Sequence, residues 1–100
     1  MGVDMLDFTF RIEKSFGIKA ERDDYRILEQ WASERRPQSK PHDLTAGELH
    51  DWVVKLCEAR GVSVPHSSWT RVKLELARTL GKRPQIIHRD TLIVRELGFS

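Results

Sequence analysis

The chain has 100 residues, of which 39% are hydrophobic and 32% are charged, and its formal net charge is +2. This length suits one small domain, and the composition is typical of a folded helical protein rather than a disordered one. No apolar run approaches the ~20 residues of a membrane-spanning helix, and the first residues lack the basic and apolar regions of a signal peptide. The single cysteine, Cys57, excludes an internal disulfide and indicates a reducing compartment. We therefore expect one cytoplasmic domain without membrane association.

The first predicted helix runs from about Val3 to Phe16. Its apolar residues recur at three- and four-residue steps, which gives the helix one apolar face. Asp4 or the residue before it is expected to accept hydrogen bonds from the first turn, and Gly17 is expected to end the helix. The apolar face consists of Met5, Phe8, Ile12 and Phe16, with Leu6 and Phe10 widening it.

Residues 18–43 carry a weaker pattern. Asp23 or Asp24 can begin a second helix, whose short apolar edge consists of Tyr25, Leu28, Trp31 and Ala32. Residues 33–43 contain two prolines and no apolar residue, which predicts a loop. The basic side chains of this loop are expected to be solvated rather than to form a binding site.

Two further helices have clear boundaries. Thr45 and Glu48 form a capping box, apolar residues then recur at helical spacing, and Gly61 ends this helix. The next helix runs from about residue 69 to residue 80, with Ser67 and Ser68 as candidate N-caps and a glycine after its end.

Together the apolar faces predict an all-α domain, a small antiparallel bundle of three main helices with one or two short ones. Trp31, Trp52 and Trp69 are expected to pack against one another rather than on a ligand. The predicted core consists of Phe8, Ile12, Phe16, Leu49, Trp52, Val53, Leu56, Trp69, Val72, Leu76 and Leu80.

Several segments resemble an acyl carrier protein, in which the second helix opens with Ser-Leu-Asp and ends on an acidic turn followed by Phe. Residues 2–18 are similar to that helix, and residues 90–100 resemble the segment that precedes it in the family. The helix that starts at Thr45, with Gly47 and Leu49, resembles the family's last helix, and residues 69–80 resemble its first. The resemblance therefore implies an acyl-carrier-protein-like fold over residues 1–100, with circularly permuted chain order.

Placing Ser100 next to Gly2 rebuilds the family's Leu-Gly-x-x-Ser-Leu-Asp run. Gly2 then occupies the position of the serine that carries phosphopantetheine in the family. Glycine has no hydroxyl group, so the resemblance implies a carrier-like module without a prosthetic group, and we expect no cofactor and no metal. The permuted order also requires the two ends of the chain to meet. The rejoined run reads Leu97, Gly98, Phe99, Ser100, Gly2, Val3 and Asp4.

Carrier proteins of this family dock on their partners through the second helix. The resemblance therefore implies a non-catalytic module that binds a protein, such as a synthase or an acyltransferase of acyl, fatty-acid or polyketide metabolism. Met5 and Phe99 would supply apolar contacts at this surface, or alternatively both complete the core. The implied partner surface consists of Asp4, Met5, Asp7, Arg95, Glu96 and Phe99.

This chain departs from the family in charge, because the family is strongly acidic and the pI here is about 8.9. Electrostatic attraction to a basic partner surface would therefore be weak. Two other arrangements stay open. Exchange of the terminal segment between two chains would give a dimer, and a fragment of a tandem protein would leave residues 67–100 poorly ordered.

A small basic helical protein that binds nucleic acid is the alternative function. The net charge of only +2 and the acidic residues in every helix argue against it. The residues that would contact phosphates, here called the basic strip, are Arg71, Lys73, Arg78, Lys82, Arg83, His88 and Arg89.

The sequence does not indicate an enzyme. His50 and Cys57 are seven residues apart, about 10 Å along one helix, which is too far to share a proton or a metal. The other histidines, His42, His66 and His88, lie in or near loops without a carboxylate or cysteine at ligand spacing. Cys57 lies at the edge of an apolar face, which favours a buried and unreactive thiol.

Overall fold

The computed structural model describes residues 2–100, which fold into four α-helices and one short 3-10 helix. α4 packs against α1, α3 and the 3-10 helix, and α2 packs against α3. In this part of the chain the strand-like pairing is a single bridge between Thr45 and Leu92. The prediction of a small all-α bundle is confirmed. The helices are α1 (Val3–Phe16), α2 (Arg22–Arg35), α3 (Ala46–Ala59), α4 (Ser68–Leu80) and the 3-10 helix (Pro84–Ile86).

Helix α1 has the predicted bounds, but the amides of its first turn find a different acceptor from the one predicted. Gly17 adopts a left-handed φ of 67°, and its amide donates to the carbonyl oxygen of Glu13, so the C-terminus is closed as expected. No side chain caps the N-terminus at Gly2. The Asp4 amide instead donates to the carbonyl oxygen of Ser100 at 2.7 Å. The expected side-chain cap is thus replaced by the backbone of the other end of the chain.

Helix α2 is longer than predicted. It begins at Arg22, one residue before Asp23, because Glu21 and Asp24 form a capping box. It continues to Arg35, and so includes three residues of the stretch predicted as a loop. Helical structure extends beyond the last apolar residue because the periodic pattern marks only the residues that are buried.

The predicted capping box at the start of α3 is confirmed and has a further role. The Glu48 carboxylate accepts from the Thr45 amide at 2.7 Å, and the Glu48 amide donates to the Thr45 hydroxyl at 3.1 Å. The same carboxylate binds Arg35 and Arg36, at 3.0 and 2.7 Å. Burial opposes the ionisation of Glu48, but the Thr45 amide and the two arginines outweigh it and lower its pKa. These arginines, predicted to be solvated, therefore hold α2 against α3.

Nearly all of the predicted core is buried, whereas Trp69 and Leu80 are only partly buried. Several large buried residues outside the prediction lie in segments that are not helical. Such segments carry no helical repeat, so periodicity does not mark their residues as core. These additional core residues are Ile18, Leu44, Ile87, Ile93, Leu97 and Phe99.

The prediction that the three tryptophans pack against one another is wrong for residues 2–100. The ring of Trp52 lies beside that of Tyr25, with centroids 6.0 Å apart, and so joins α3 to α2. Trp69 lies beside His50 at 5.7 Å and joins α4 to α3. Trp31 lies beneath an arginine of its own helix. Two of the three rings thus connect neighbouring helices.

The buried carboxylate of Asp43 connects the start of α3 to the segment 87–100, here called the returning segment. Its Oδ1 atom accepts from the Leu44 and Val94 amides at 2.8 and 2.9 Å. Its Oδ2 atom accepts from the Arg95 amide at 2.9 Å. Because one carboxylate satisfies three amides, it fixes the turn of the returning segment relative to α3.

Gly47 allows the closest approach between α3 and the returning segment. Its amide donates to the carbonyl oxygen of Arg89 at 2.8 Å, and an added Cβ would lie 2.8 Å from the same oxygen. The neighbouring Ala46 amide donates to the carbonyl oxygen of Thr91, also at 2.8 Å. The first amides of α3 are therefore satisfied by the returning segment, and a side chain at residue 47 would separate the two.

Replacing Asp43 by alanine should lower the free energy of unfolding by about 2–4 kcal/mol, because three amides would lose their acceptor. Urea unfolding followed by circular dichroism measures this change. The matched control is Asp51→Ala, which removes an exposed carboxylate from α3 and should change stability by less than about 0.5 kcal/mol. Equal stability of the two variants would contradict the proposed role of Asp43.

The Gly47→Ala variant should be less stable than the wild type by about 1–3 kcal/mol. Helix propensity alone predicts the opposite sign, since alanine favours a helix over glycine by ~1 kcal/mol. The loss is expected because the new Cβ would overlap the Arg89 carbonyl oxygen. A higher midpoint of thermal unfolding in the variant would show that the returning segment does not press on α3.

Candidate functional site

The first and last residues that the structure describes meet at the start of α1, and the predicted permuted order expects this contact. Beside the bond from the Asp4 amide to Ser100, the Asp4 carboxylate accepts from the Ser100 amide at 2.9 Å and from its hydroxyl at 3.4 Å. A Cβ added at Gly2 would lie 3.5 Å from the carbonyl carbon of Ser100, an ordinary van der Waals contact. Gly2 and Ser100, which are neighbours in the rejoined run, therefore lie close together, and residue 2 has no hydroxyl. We call this meeting point the junction.

Met5 and Phe99 do not lie on the surface predicted for a partner. Their exposed fractions are 4% and 1%. The ring of Phe99 meets that of Phe8 edge-on, with centroids 6.5 Å apart, and the hydroxyl of Thr9 lies 3.6 Å from the Met5 sulfur. The alternative given for these two residues is therefore correct: both complete the core.

The charged members of the predicted surface remain accessible. Asp7 pairs with Arg11 one turn along α1, with 2.9 Å between the two atoms, and this hydrogen bond lowers the pKa of Asp7. Arg95 and Glu96 are exposed on the turn of the returning segment, where Glu96 also accepts from the Leu92 amide at 3.0 Å. The polar residues of the predicted surface are thus accessible to a partner, whereas its two apolar residues are buried.

An exposed apolar stripe on α1 supplies the apolar surface that Met5 and Phe99 do not. Val3, Leu6 and Phe10 are 77%, 67% and 55% exposed, and their spacing of three and four residues places them on one face. Leu6 and Phe10 were predicted to widen the buried face. Apolar residues surround too much of α1 for all of them to be buried, and the spacing alone does not show which half faces the core. We call these three residues the α1 stripe.

A groove runs from the α1 stripe to the loop before α3. It consists of two cavities of about 900 and about 420 Å³, both of which are lined by Gly2, Val3 and Glu29. The lining of both cavities is mainly apolar. The larger cavity also reaches Ala32, residues 39–42, Val94, Phe99 and Ser100, and the smaller cavity reaches Met5, Leu6, Tyr25 and Leu28.

His50 and Ser68 form a buried pair that resembles part of a catalytic site. The His50 Nε2 atom lies 2.8 Å from the Ser68 hydroxyl, and Arg89 approaches Nδ1 at 3.4 Å. An arginine can only donate, so Nδ1 is the acceptor and Nε2 carries the proton. His50 then donates to Ser68 rather than accepting its proton. The pair consequently joins α3 to the start of α4 and does not activate the serine as a nucleophile.

The remaining candidates for chemistry lie in structural positions. Cys57 is fully buried, as predicted, and burial raises the pKa of its thiol, which disfavours the reactive thiolate. Within residues 2–100 no three histidine, cysteine or acidic side chains are grouped closely enough to hold a metal ion. None of the helices in this part of the chain is both long and apolar enough to cross a bilayer.

Several side chains of the basic strip already contact other residues of the protein. Arg78 pairs with Glu75 at 3.2 Å. Arg89 and Lys73 both lie over the ring of Trp69, at 4.7 and 5.9 Å from its centroid. Since these side chains already contact the ring, it offers little surface on which a base could stack. The aromatic ring beside the basic strip, Trp69, is thus already covered by cations of the strip itself.

No family model, curated protein or solved structure matches the chain. Three features of residues 2–100 bear on function: the junction, the α1 stripe and the groove. They adjoin one another, because Val3 belongs to the stripe, lines both cavities and follows Gly2.

Lowering the pH from about 7.5 to about 5.5 should destabilise the protein through His50. Burial and then the charge of Arg89 lower the pKa of His50 below the value of about 6.5 for an exposed histidine. As the pH falls, the unfolded chain therefore binds a proton before the folded one does. The contribution of His50 is complete above about pH 6.5 and declines below it.

The His50→Gln variant should lose the part of the pH dependence of stability that comes from His50. Urea unfolding of wild type and variant across the same pH range measures this difference. An NMR titration of the wild type provides a direct check of the cause. A midpoint for the His50 ring above about 6.5 would contradict the assigned environment.

Proposed function

We propose that this chain is a non-catalytic, acyl-carrier-protein-like module that lacks the phosphopantetheine serine and binds a protein partner through the start of α1. The partner is a synthase or an acyltransferase of acyl, fatty-acid or polyketide metabolism, and the compartment is the cytoplasm. The observation that carries the proposal is the exposed α1 stripe next to the junction of Gly2 and Ser100.

The position of the stripe supports docking through α1. The resemblance gives α1 the place of the helix through which carrier proteins meet their partners. Val3, Leu6 and Phe10 expose their apolar side chains on that helix, and adjoining apolar residues of this kind mark interaction surfaces. Asp4 and Asp7 on the same helix supply polar groups, as at the rim of other interfaces.

The junction supports a carrier-like module that does not carry. Residue 2 has no side chain that could form a phosphate ester. The hydroxyl of Ser100 corresponds to the residue before the attachment serine of the family and lies 3.4 Å from the Asp4 carboxylate. In the proposed module neither residue carries a prosthetic group.

Affinity capture with the tagged chain, followed by mass spectrometry, tests this function. We expect a synthase or an acyltransferase among the captured proteins, and we expect Leu6→Glu to reduce its recovery at least tenfold, because a buried charge would face the partner. The matched control is Leu74→Glu, which places the same charge at an exposed leucine of α4. Circular dichroism verifies that both variants keep their helices.

Two outcomes would contradict the proposal. In the first, no enzyme of acyl metabolism is captured in a way that depends on Leu6. In the second, the chain retains nucleic acid, and the Lys82→Glu and Arg83→Glu double variant abolishes this retention while Leu6→Glu does not. That second outcome would favour nucleic-acid binding through the basic strip.

A further inference from the structure

We infer that the groove binds an amphipathic α-helix of a partner protein, with a basic side chain of that helix at Glu29 and an acidic side chain at Lys40. This inference deepens the proposed function and rests on it only in taking the partner to be a protein.

The shape of the groove suits a row of side chains. The two cavities adjoin at Gly2, Val3 and Glu29, so they form one depression with two lobes. Ala32 and Phe99, which line the larger lobe, are 1% exposed and belong to the core, so this part of the groove has a firm apolar wall. A helix presents apolar side chains at three- and four-residue steps, which allows successive side chains to enter successive lobes.

The charged residues that line the groove indicate which charges a bound helix carries. Glu29 and Lys40 are exposed and line the groove, and neither forms an ion pair with another residue between 2 and 100. By contrast, Asp24 and Glu48, which are partly buried, are both paired with arginines. An acid and a base that both line the groove, with no ion-pair partner among residues 2–100, are complementary to a helix that carries both signs.

Two other occupants fit less well. The carboxylate of a fatty acid would meet Lys40, but its apolar tail would then lie against Glu29, and a desolvated carboxylate without a partner is unfavourable. A second copy of this chain would present its α1 stripe, whose neighbouring acids, Asp4 and Asp7, are already bonded to Ser100 and Arg11. A helix with both charges avoids each of these conflicts.

The test uses the full chain and a library of phage-displayed peptides of about 16 residues, or roughly 24 Å of helix. Leucines occupy fixed positions at helical spacing, and the positions beside them are randomised. We expect selected peptides to carry both an acidic and a basic residue beside the leucines. The best peptide should shift the NMR signals of Val3, Ala32 and Val94 and gain helical circular dichroism on binding.

Charge reversals then locate the two contacts. Glu29→Lys and Lys40→Glu should each weaken the peptide roughly tenfold. Glu58→Lys and Lys55→Glu make the same changes at exposed positions of α3 outside the groove and should leave affinity within about twofold. A peptide whose basic residue is replaced by glutamate should regain affinity for Glu29→Lys, and this rescue identifies the pair.

Several results would overturn the inference: selected peptides without both charges, equal affinity for Glu29→Lys and Glu58→Lys, or shifted signals elsewhere. Displacement of the peptide by palmitate with tighter binding, or a wild-type dimer in sedimentation that Glu29→Lys dissociates, would assign the groove to another occupant. These results leave the proposed function standing if enzyme capture still depends on Leu6. Peptide binding in the groove without such capture would instead overturn the proposed function alone.

Discussion

The start of α1 depends on the other end of the chain. A helix begins with amides that have no partner within the helix, and here no side chain satisfies them. The backbone of Ser100 accepts from one of these amides, and the Asp4 carboxylate binds Ser100 in return. The residue before Ser100 is Phe99, which lies in the core against Phe8. The cap of α1, this part of the core and the junction consequently all depend on the same two residues, Phe99 and Ser100.

The returning segment contributes to the core without regular secondary structure of its own. A segment of this kind must satisfy its amides elsewhere, and Asp43 accepts from two of them, at Val94 and Arg95. Carbonyl oxygens of the returning segment in turn accept from the first amides of α3, at Ala46 and Gly47. The exchange holds Phe99 where it can form one wall of the groove. The candidate site is thus built on backbone contacts that a local change at Asp43 would loosen.

The sequence was sufficient to predict features that depend on local physics. The bounds of α1, the capping box of Thr45 and Glu48, and the closing glycine at residue 17 follow from backbone requirements within a few residues. The start of α1 and Ser100 meet, as the prediction of a permuted order expected, and the permuted order itself stays a prediction. The candidate site was predicted less well, because the roles of Met5 and Phe99 depend on which half of α1 faces the core.

Tertiary contacts decide the rest. Leu6 and Phe10 satisfy the helical spacing of a buried face, yet they are exposed because α4 and the returning segment cover the opposite half of α1. The buried role of Asp43 also has no local signal, since two of its three partners are about 50 residues further along the chain. A pattern within one helix contains no information about either contact.

The intact masses of the wild type and of Gly2→Ser, each co-expressed with a broad-specificity phosphopantetheinyl transferase, test most directly whether the junction is a carrier site that lost its serine. The substitution is structurally permitted, because a Cβ at residue 2 makes only an ordinary contact with Ser100. We predict an unchanged wild-type mass and a gain of one phosphopantetheine group on the variant. A modified wild type, or a folded Gly2→Ser variant that gains nothing, would contradict this interpretation of the junction.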